Sequence, residues 1–304
     1  MRRPSDSYTR RVRIVSFLPS ATEIVTELGL GAELKGVTIE CNWPADVREH
    51  REIVVGTFVD PSMSPGEIDA TVRARVAAGL DLYELDDEAL ARCAPDLILT
   101  QDLCRVCAVA SGDVESAMSR LNCHARVVQL EPKTLDDVLT SIIDIAEAAD
   151  VRERGDAYVA SLRARLVNVA QLVGTRPRRK VFVLEWIDPP FGAGHWVPDV
   201  VRCAGGEPVL ARAGERSTTV TFDEIAASTP DVVLVTPCGY DLEGCARQAH
   251  EVLHQLPEKC EVWAVDADAV MVRPGPRLVE GVEAIAELLH GVGDPRRDLV
   301  RRVR

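Results

Sequence analysis

The run Asp87-Glu88-Ala89-Leu90-Ala91-Arg92-Cys93-Ala94-Pro95-Asp96-Leu97-Ile98-Leu99 lines up without gaps on Phe222-Asp223-Glu224-Ile225-Ala226-Ala227-Ser228-Thr229-Pro230-Asp231-Val232-Val233-Leu234. Each reads as an acidic helix start, a short helix, a Pro-Asp pair and a buried strand. Two such units in one chain imply two lobes of the same α/β design. Coincidence is the alternative, since short helix-turn-strand units resemble one another by chance.

The remaining pattern alternates in the same way. Within residues 13–29 a β-branched run ends at Leu18-Pro19, Ser20 is positioned to cap the next helix with Glu23 returning the bond, and Gly29 to end it. The turn after a strand's carboxyl end faces the ligand crevice of an open α/β sheet, so Pro19 and Ser20 are candidate ligand residues. Nothing there is glycine-rich, which argues against a dinucleotide. Further strands are expected at 34–37, 53–55, 97–100, 126–130, 181–184, 232–235 and 262–265, and helices at 197–203, 223–228, 242–256 and 278–289. From 135 to about 173 there is no proline and apolar residues keep helical spacing, predicting one long helix with a break near Gly155. The expected fold is therefore two Rossmann-like α/β lobes with mostly parallel sheets joined by one long helix. Its parts are a polar tail (1–12), an N-terminal lobe (13–133), the linking helix (134–175), a C-terminal lobe (176–290) and a charged, frayed tail (291–304).

Composition narrows the function. With 48 acidic and 35 basic side chains the net charge is -13, which disfavours nucleic acid as a partner. No apolar run approaches the roughly 18 residues that span a bilayer. The N-terminus is charged and passes into the first strand without an apolar signal core, so the chain as written is expected in the cytoplasm, or exported if its true start lies upstream. The nine cysteines are odd in number and scattered, and read as reduced thiols.

Four places carry candidate chemistry. Phe17, Trp43, Phe58, Trp186, Phe191, Trp196 and Tyr240 all fall at strand ends or in the loops just after them, which suits a large, flat, partly apolar ligand. Ordinary core packing is the other reading for each. The stretch 186–196 has two prolines to stiffen it and glycines that admit a close neighbour, and reads as a ligand loop or as a plain crossover. In 266–277, Arg273 can donate to ligand oxygens and Asp268 can accept from amides, unless the two simply pair with each other. Cys104 and Cys107 form a C-x-x-C pair that could hold a metal or act in redox chemistry, although no second such pair exists and structural thiols are commoner. No G-x-S-x-G, H-E-x-x-H, Walker or G-x-G-x-x-G motif occurs, so no enzyme is expected.

Five motifs in order, F-L-P-S-A-T-E-I, G-V-T-x-x-C-N-W-P, A-P-D-L-I-L, I-D-P-P-F and R-P-G-P-R, resemble the vitamin B12-binding proteins of bacterial ABC importers, over residues 13 to about 290. The resemblance implies a class III periplasmic-binding fold and a cobalamin or related corrinoid as bound ligand, in a monomer. It implies that Phe58 and Phe191 pack on the corrin, that Arg273 and Asp268 meet its polar edge, and that Pro19, Ser20, Glu40 and Trp43 line the cleft. It further implies that Glu88 and Asp223, the equivalent acids of the internal match, dock on an ABC permease; stabilising their own helix starts is the plainer role. Two tryptophans of the family pattern are replaced, one by Gln101 and one near Ser217. Residues 60–85 are extra and predict a helix begun by the Ser64-Pro65-Gly66-Glu67 box, and 102–113 are extra too, placing a thiol where it could meet a cobalt ion. Proteins of this fold also carry haem, iron-siderophores or metal ions. A chelatase-like enzyme of tetrapyrrole metabolism and a cytoplasmic storage or sensor protein are the competing readings.

Overall fold

The computed structural model describes residues 12–60, 62–101, 111–121 and 123–304. Cys104 and Cys107 lie outside the described residues. The chain opens with β1 (Ile14–Ser16) and α1 (Pro19–Glu27), followed by β2 (Leu34–Thr38), β3 (Glu52–Thr57), α2 (Pro65–Ala77) and β4 (Tyr83–Leu85). Next come α3 (Asp87–Cys93), β5 (Leu97–Thr100), α4 (Ser111–Arg120) and β6 (Arg126–Gln129). The six strands form one sheet in the order β4-β3-β2-β1-β5-β6, parallel except where β4 runs against β3. Central β1 and β5 are wholly buried, as unbroken apolar runs in a parallel sheet should be.

The segment read as one long helix is two. Helix α5 (Leu135–Ala148) ends at Ala149, Asp150 turns the chain with φ +58°, and α6 (Arg152–Val173) returns beside α5. Arg163 on α6 pairs with Asp136 on α5 at 2.6 Å, which fixes the antiparallel run. Gly155 breaks nothing; a Cβ there would lie 2.5 Å from that of Ala146, so glycine lets the two helices touch. The 22-residue α6 is the link between lobes, with Val159 and Leu162 in the N-terminal core and Val169 and Val173 in the C-terminal one.

The second lobe is built from β7 (Lys180–Ile187), β8 (Pro190–Gly192), β9 (Gly194–His195), α7 (Val197–Cys203), β10 (Glu207–Pro208), β11 (Arg212–Ala213) and β12 (Thr218–Thr219). Then follow α8 (Phe222–Ala227), β13 (Val232–Val235), α9 (Leu242–Val252), β14 (Glu261–Val265), α10 (Ala267–Val270), α11 (Leu278–His290) and β15 (Val300–Arg302). Its main sheet runs β12-β8-β7-β13-β14-β15, with β10 also on β7. The expected loop 186–196 is a hairpin: β7 reaches Ile187, and β8 pairs back on it, Phe191 opposite Trp186. The tail is not frayed. Strand β15 runs antiparallel to β14 and brings Leu299 and Val300 into the core, which the flanking arginines hide from a composition-based reading.

The internal match is a structural repeat. Asp96 accepts the Arg13 backbone N–H at 3.0 Å, and Asp231 accepts that of Lys180 at 2.7 Å. Each aspartate's own N–H then binds the carbonyl of that same residue, and its carbonyl takes the first N–H of the next strand, Arg126 or Glu261. The Pro-Asp pair thus staples the first strand of each lobe to two later strands of the same sheet, β5 and β6 or β13 and β14.

Candidate functional site

Parallel strands put their carboxyl ends on one edge, and contacts between the lobes identify which edges face each other. Arg273, beyond β14 and α10, reaches across to the N-terminal lobe, donating to Asn42 Oδ1 and, at 3.2 Å, to the Glu40 carbonyl just past β2. Its other partner is Asp268 at 2.7 Å, so the ion pair that the sequence left open is formed, nearly buried and shared between lobes. Four residues on, the Arg277 guanidinium stands 5.8 Å from the Trp43 ring, a second contact across the seam. Val279, at the start of α11, is buried in the N-terminal core.

Around this seam lie the other predicted residues. Ile39 and Phe58, beyond the ends of neighbouring β2 and β3, are large apolar side chains left exposed, Phe58 at 44 %. Arg75 of α2 covers one face of Phe58 at 4.2 Å from its centre. Helix α2 starts with the expected capping box, and its Gly66 comes so close to Asp188 in the β7–β8 turn that a Cβ would meet Oδ2 at 2.5 Å. The additional helix therefore lies alongside the opening between lobes. On the opposite edge the Trp186 and Tyr240 rings pair at 6.2 Å, next to half-buried Phe191. Gln101 is buried at the end of β5. Glu40 is half-buried, accepts the Tyr83 hydroxyl at 3.3 Å and has its pKa raised by burial, against the pull of Arg273.

Two aromatic expectations are corrected. Trp196 packs in the C-terminal core with its indole N–H on the Met271 carbonyl at 2.8 Å, and Phe17 is buried in the N-terminal lobe, so neither borders the opening. The Ser20 cap is also absent. Leu18 is the N-cap with Pro19 opening α1, and Ser20 lies buried inside the first turn. Glu23, read as a capping partner, instead turns inward at 1 % exposure, with neither carboxyl oxygen bonded among the described residues. Asn42 carried no signal beyond its place in a motif.

Glu88 and Asp223 occupy the same position, second residue of α3 and of α8. Asp86 and Thr221 do the capping there, and the two acids stand exposed in the first turn, where a negative charge also favours the helix start. No helix of the described residues is long and apolar enough to cross a membrane, and no group of three His, Cys, Asp or Glu among them suits a metal ion.

Comparison with known proteins agrees with this architecture. An uncharacterised ABC transporter substrate-binding lipoprotein of Bacillus subtilis is 24 % identical over 285 residues, spanning 91 % of this chain and 80 % of its own. The solved vitamin B12-binding protein of Vibrio cholerae superposes with a TM-score of 0.65 at 21 % identity, covering 91 % of this chain and 96 % of that one. A periplasmic haem-binding protein from Pseudomonas aeruginosa gives 0.72 at 17 % identity, covering 95 % and 97 %. Residues 14–267 match the family model described as periplasmic binding protein, and the chain belongs to that family of substrate-binding proteins.

Proposed function

We propose that the chain captures a cobalamin-like corrinoid between its lobes and delivers it to an ABC permease, docking through Glu88 and Asp223. The observation that carries the choice of ligand is the state of the seam arginines. Arg273, the arginine that hydrogen-bonds across the seam, is neutralised by Asp268 and is no free cation awaiting a carboxylate, and Arg277 stands over the Trp43 ring. A corrinoid presents neutral amides, which an Arg-Asp pair can both donate to and accept from. Haem presents two carboxylates, which call for unpaired cations. The exposed ring of Phe58 and the half-buried rings of Trp186 and Phe191 support a broad apolar body between these polar groups. The named vitamin B12-binding relative points the same way, and the haem-binding one sets the alternative.

Titration of the purified protein with cyanocobalamin, cobinamide and haemin, followed by visible absorbance, tests this. Saturable micromolar or tighter binding of the corrinoids, with haemin weaker, is expected. Preference for haemin would replace the reading, and turnover of a metal-free macrocycle would favour the chelatase-like one. Fractionation of cells carrying the native gene separates delivery from cytoplasmic storage or sensing.

A further inference from the structure

Glu23 sits at the centre of the seam. A Cβ on Gly275 would lie 2.8 Å from its Oε2 and 3.7 Å from the Ser20 Cα, so α1 lies directly on the backbone of Pro274-Gly275-Pro276. That backbone joins the two arginines that cross to the N-terminal lobe, Arg273 to Asn42 and Glu40, and Arg277 to Trp43. Whatever moves the loop at Gly275 therefore moves both. The charged groups facing Glu23 are Arg277, Arg273 and Asp268 from this loop and α10, and Glu280 from α11. Burial pushes its pKa up to about 8, and the two arginines offset only part of that. A carboxylate with both oxygens unbonded and no access to water is costly; a carboxylic acid is tolerated.

We propose that Glu23, seated in the seam as a neutral acid, is a positioning residue that holds the Arg273–Arg277 loop against the N-terminal lobe and so fixes where Arg273 meets a ligand. Loss of its proton to solvent draws the carboxylate toward water and releases the loop. The ligand part of this rests on the crevice being the binding site; the loop part does not.

Hydrogen exchange of the peptide holding 273–277, corrected for intrinsic rates, is compared at pH 6 and pH 9 in the wild type and in Glu23→Gln, which keeps the neutral shape. Protection in the wild type is expected to fall by up to about tenfold per pH unit as pH rises from 6 toward 8 and to level off above about 8, while Glu23→Gln stays protected throughout. Cyanocobalamin affinity should weaken at pH 9 in the wild type only. Should Glu23→Gln fail to fold, Gly275→Ala takes its place, since crowding Oε2 should unseat the loop already at pH 6. A wild-type loop indifferent to pH, or a Glu23→Gln protein with the same pH dependence, overturns the proposal. Absence of corrinoid binding at every pH removes the ligand reading and leaves the exchange result to decide on Glu23.

Discussion

Glu185→Gln is expected to abolish part of the loss of stability that the protein suffers between mildly acidic and mildly alkaline pH. Glu185 stands on β7, where its carboxyl accepts the Gly194 N–H at 3.2 Å and meets the Ser217 hydroxyl. Burial pushes its pKa up to about 7, and those two bonds work against the shift. The folded protein thus holds this proton more tightly than the unfolded chain, in which the group titrates near 4.5. The resulting stability is complete below pH 4.5, fades as pH rises through about 7, and is gone above that. At about 1.4 kcal/mol per pKa unit the ceiling is about 3 kcal/mol. Glu185 retains some contact with solvent, which reduces the expectation to about 2 kcal/mol. Glutamine reproduces the neutral acid at every pH, its oxygen facing the Gly194 N–H and its amide facing Ser217. Urea denaturation at pH 4, 5, 6, 7 and 8 should therefore find variant and wild type nearly equal at pH 4 and the variant ahead by about 2 kcal/mol at pH 8. Taking the difference cancels His195 and His290, whose pKa values burial lowers. A difference independent of pH refutes the reasoning.

Other substitutions separate the structure from simpler readings of the sequence. Leu299→Ala should cost about 3 kcal/mol in urea denaturation, because Leu299 is core; a frayed tail would register less than about 0.5 kcal/mol. Gly155→Ala adds a good helix former, yet it should lower the unfolding free energy by about 1–3 kcal/mol through collision with Ala146, and a gain would refute the close contact of α5 and α6. Asp96→Ala and Asp231→Ala each leave a backbone N–H without its acceptor and should cost similar amounts, about 2 kcal/mol; a gap well beyond 1 kcal/mol would break the equivalence of the lobes.

What could be read from the residues depended on how local its cause is. The runs at 97–100 and 232–235 are buried on both faces, so their apolar character alone located β5 and β13. Strands β8 and β15 are three residues each and owe their existence to a neighbour, β7 or β14, that is remote from any local pattern. The Ser20 to Glu23 spacing fits a capping box, and only the packing of another lobe against α1 turns Glu23 inward. Trp196 was grouped with the ligand aromatics by position, whereas the Met271 carbonyl that satisfies its indole comes from a distant loop. Glu40, Trp43 and Arg273 were named from motifs and from the family resemblance; their meeting across the seam was not legible, because it depends on how the lobes are mounted on α5 and α6.

Helix α6 contributes Val159 and Leu162 to one core and Val169 and Val173 to the other, with Leu166 packed against both. The two halves look like copies, yet neither can be excised intact, since removing either would bare an apolar stripe on a shared strut. Heat should accordingly melt the chain in one cooperative step. A lineage that inherited this arrangement could no longer lose, exchange or reshuffle one half without rebuilding the interior of the other.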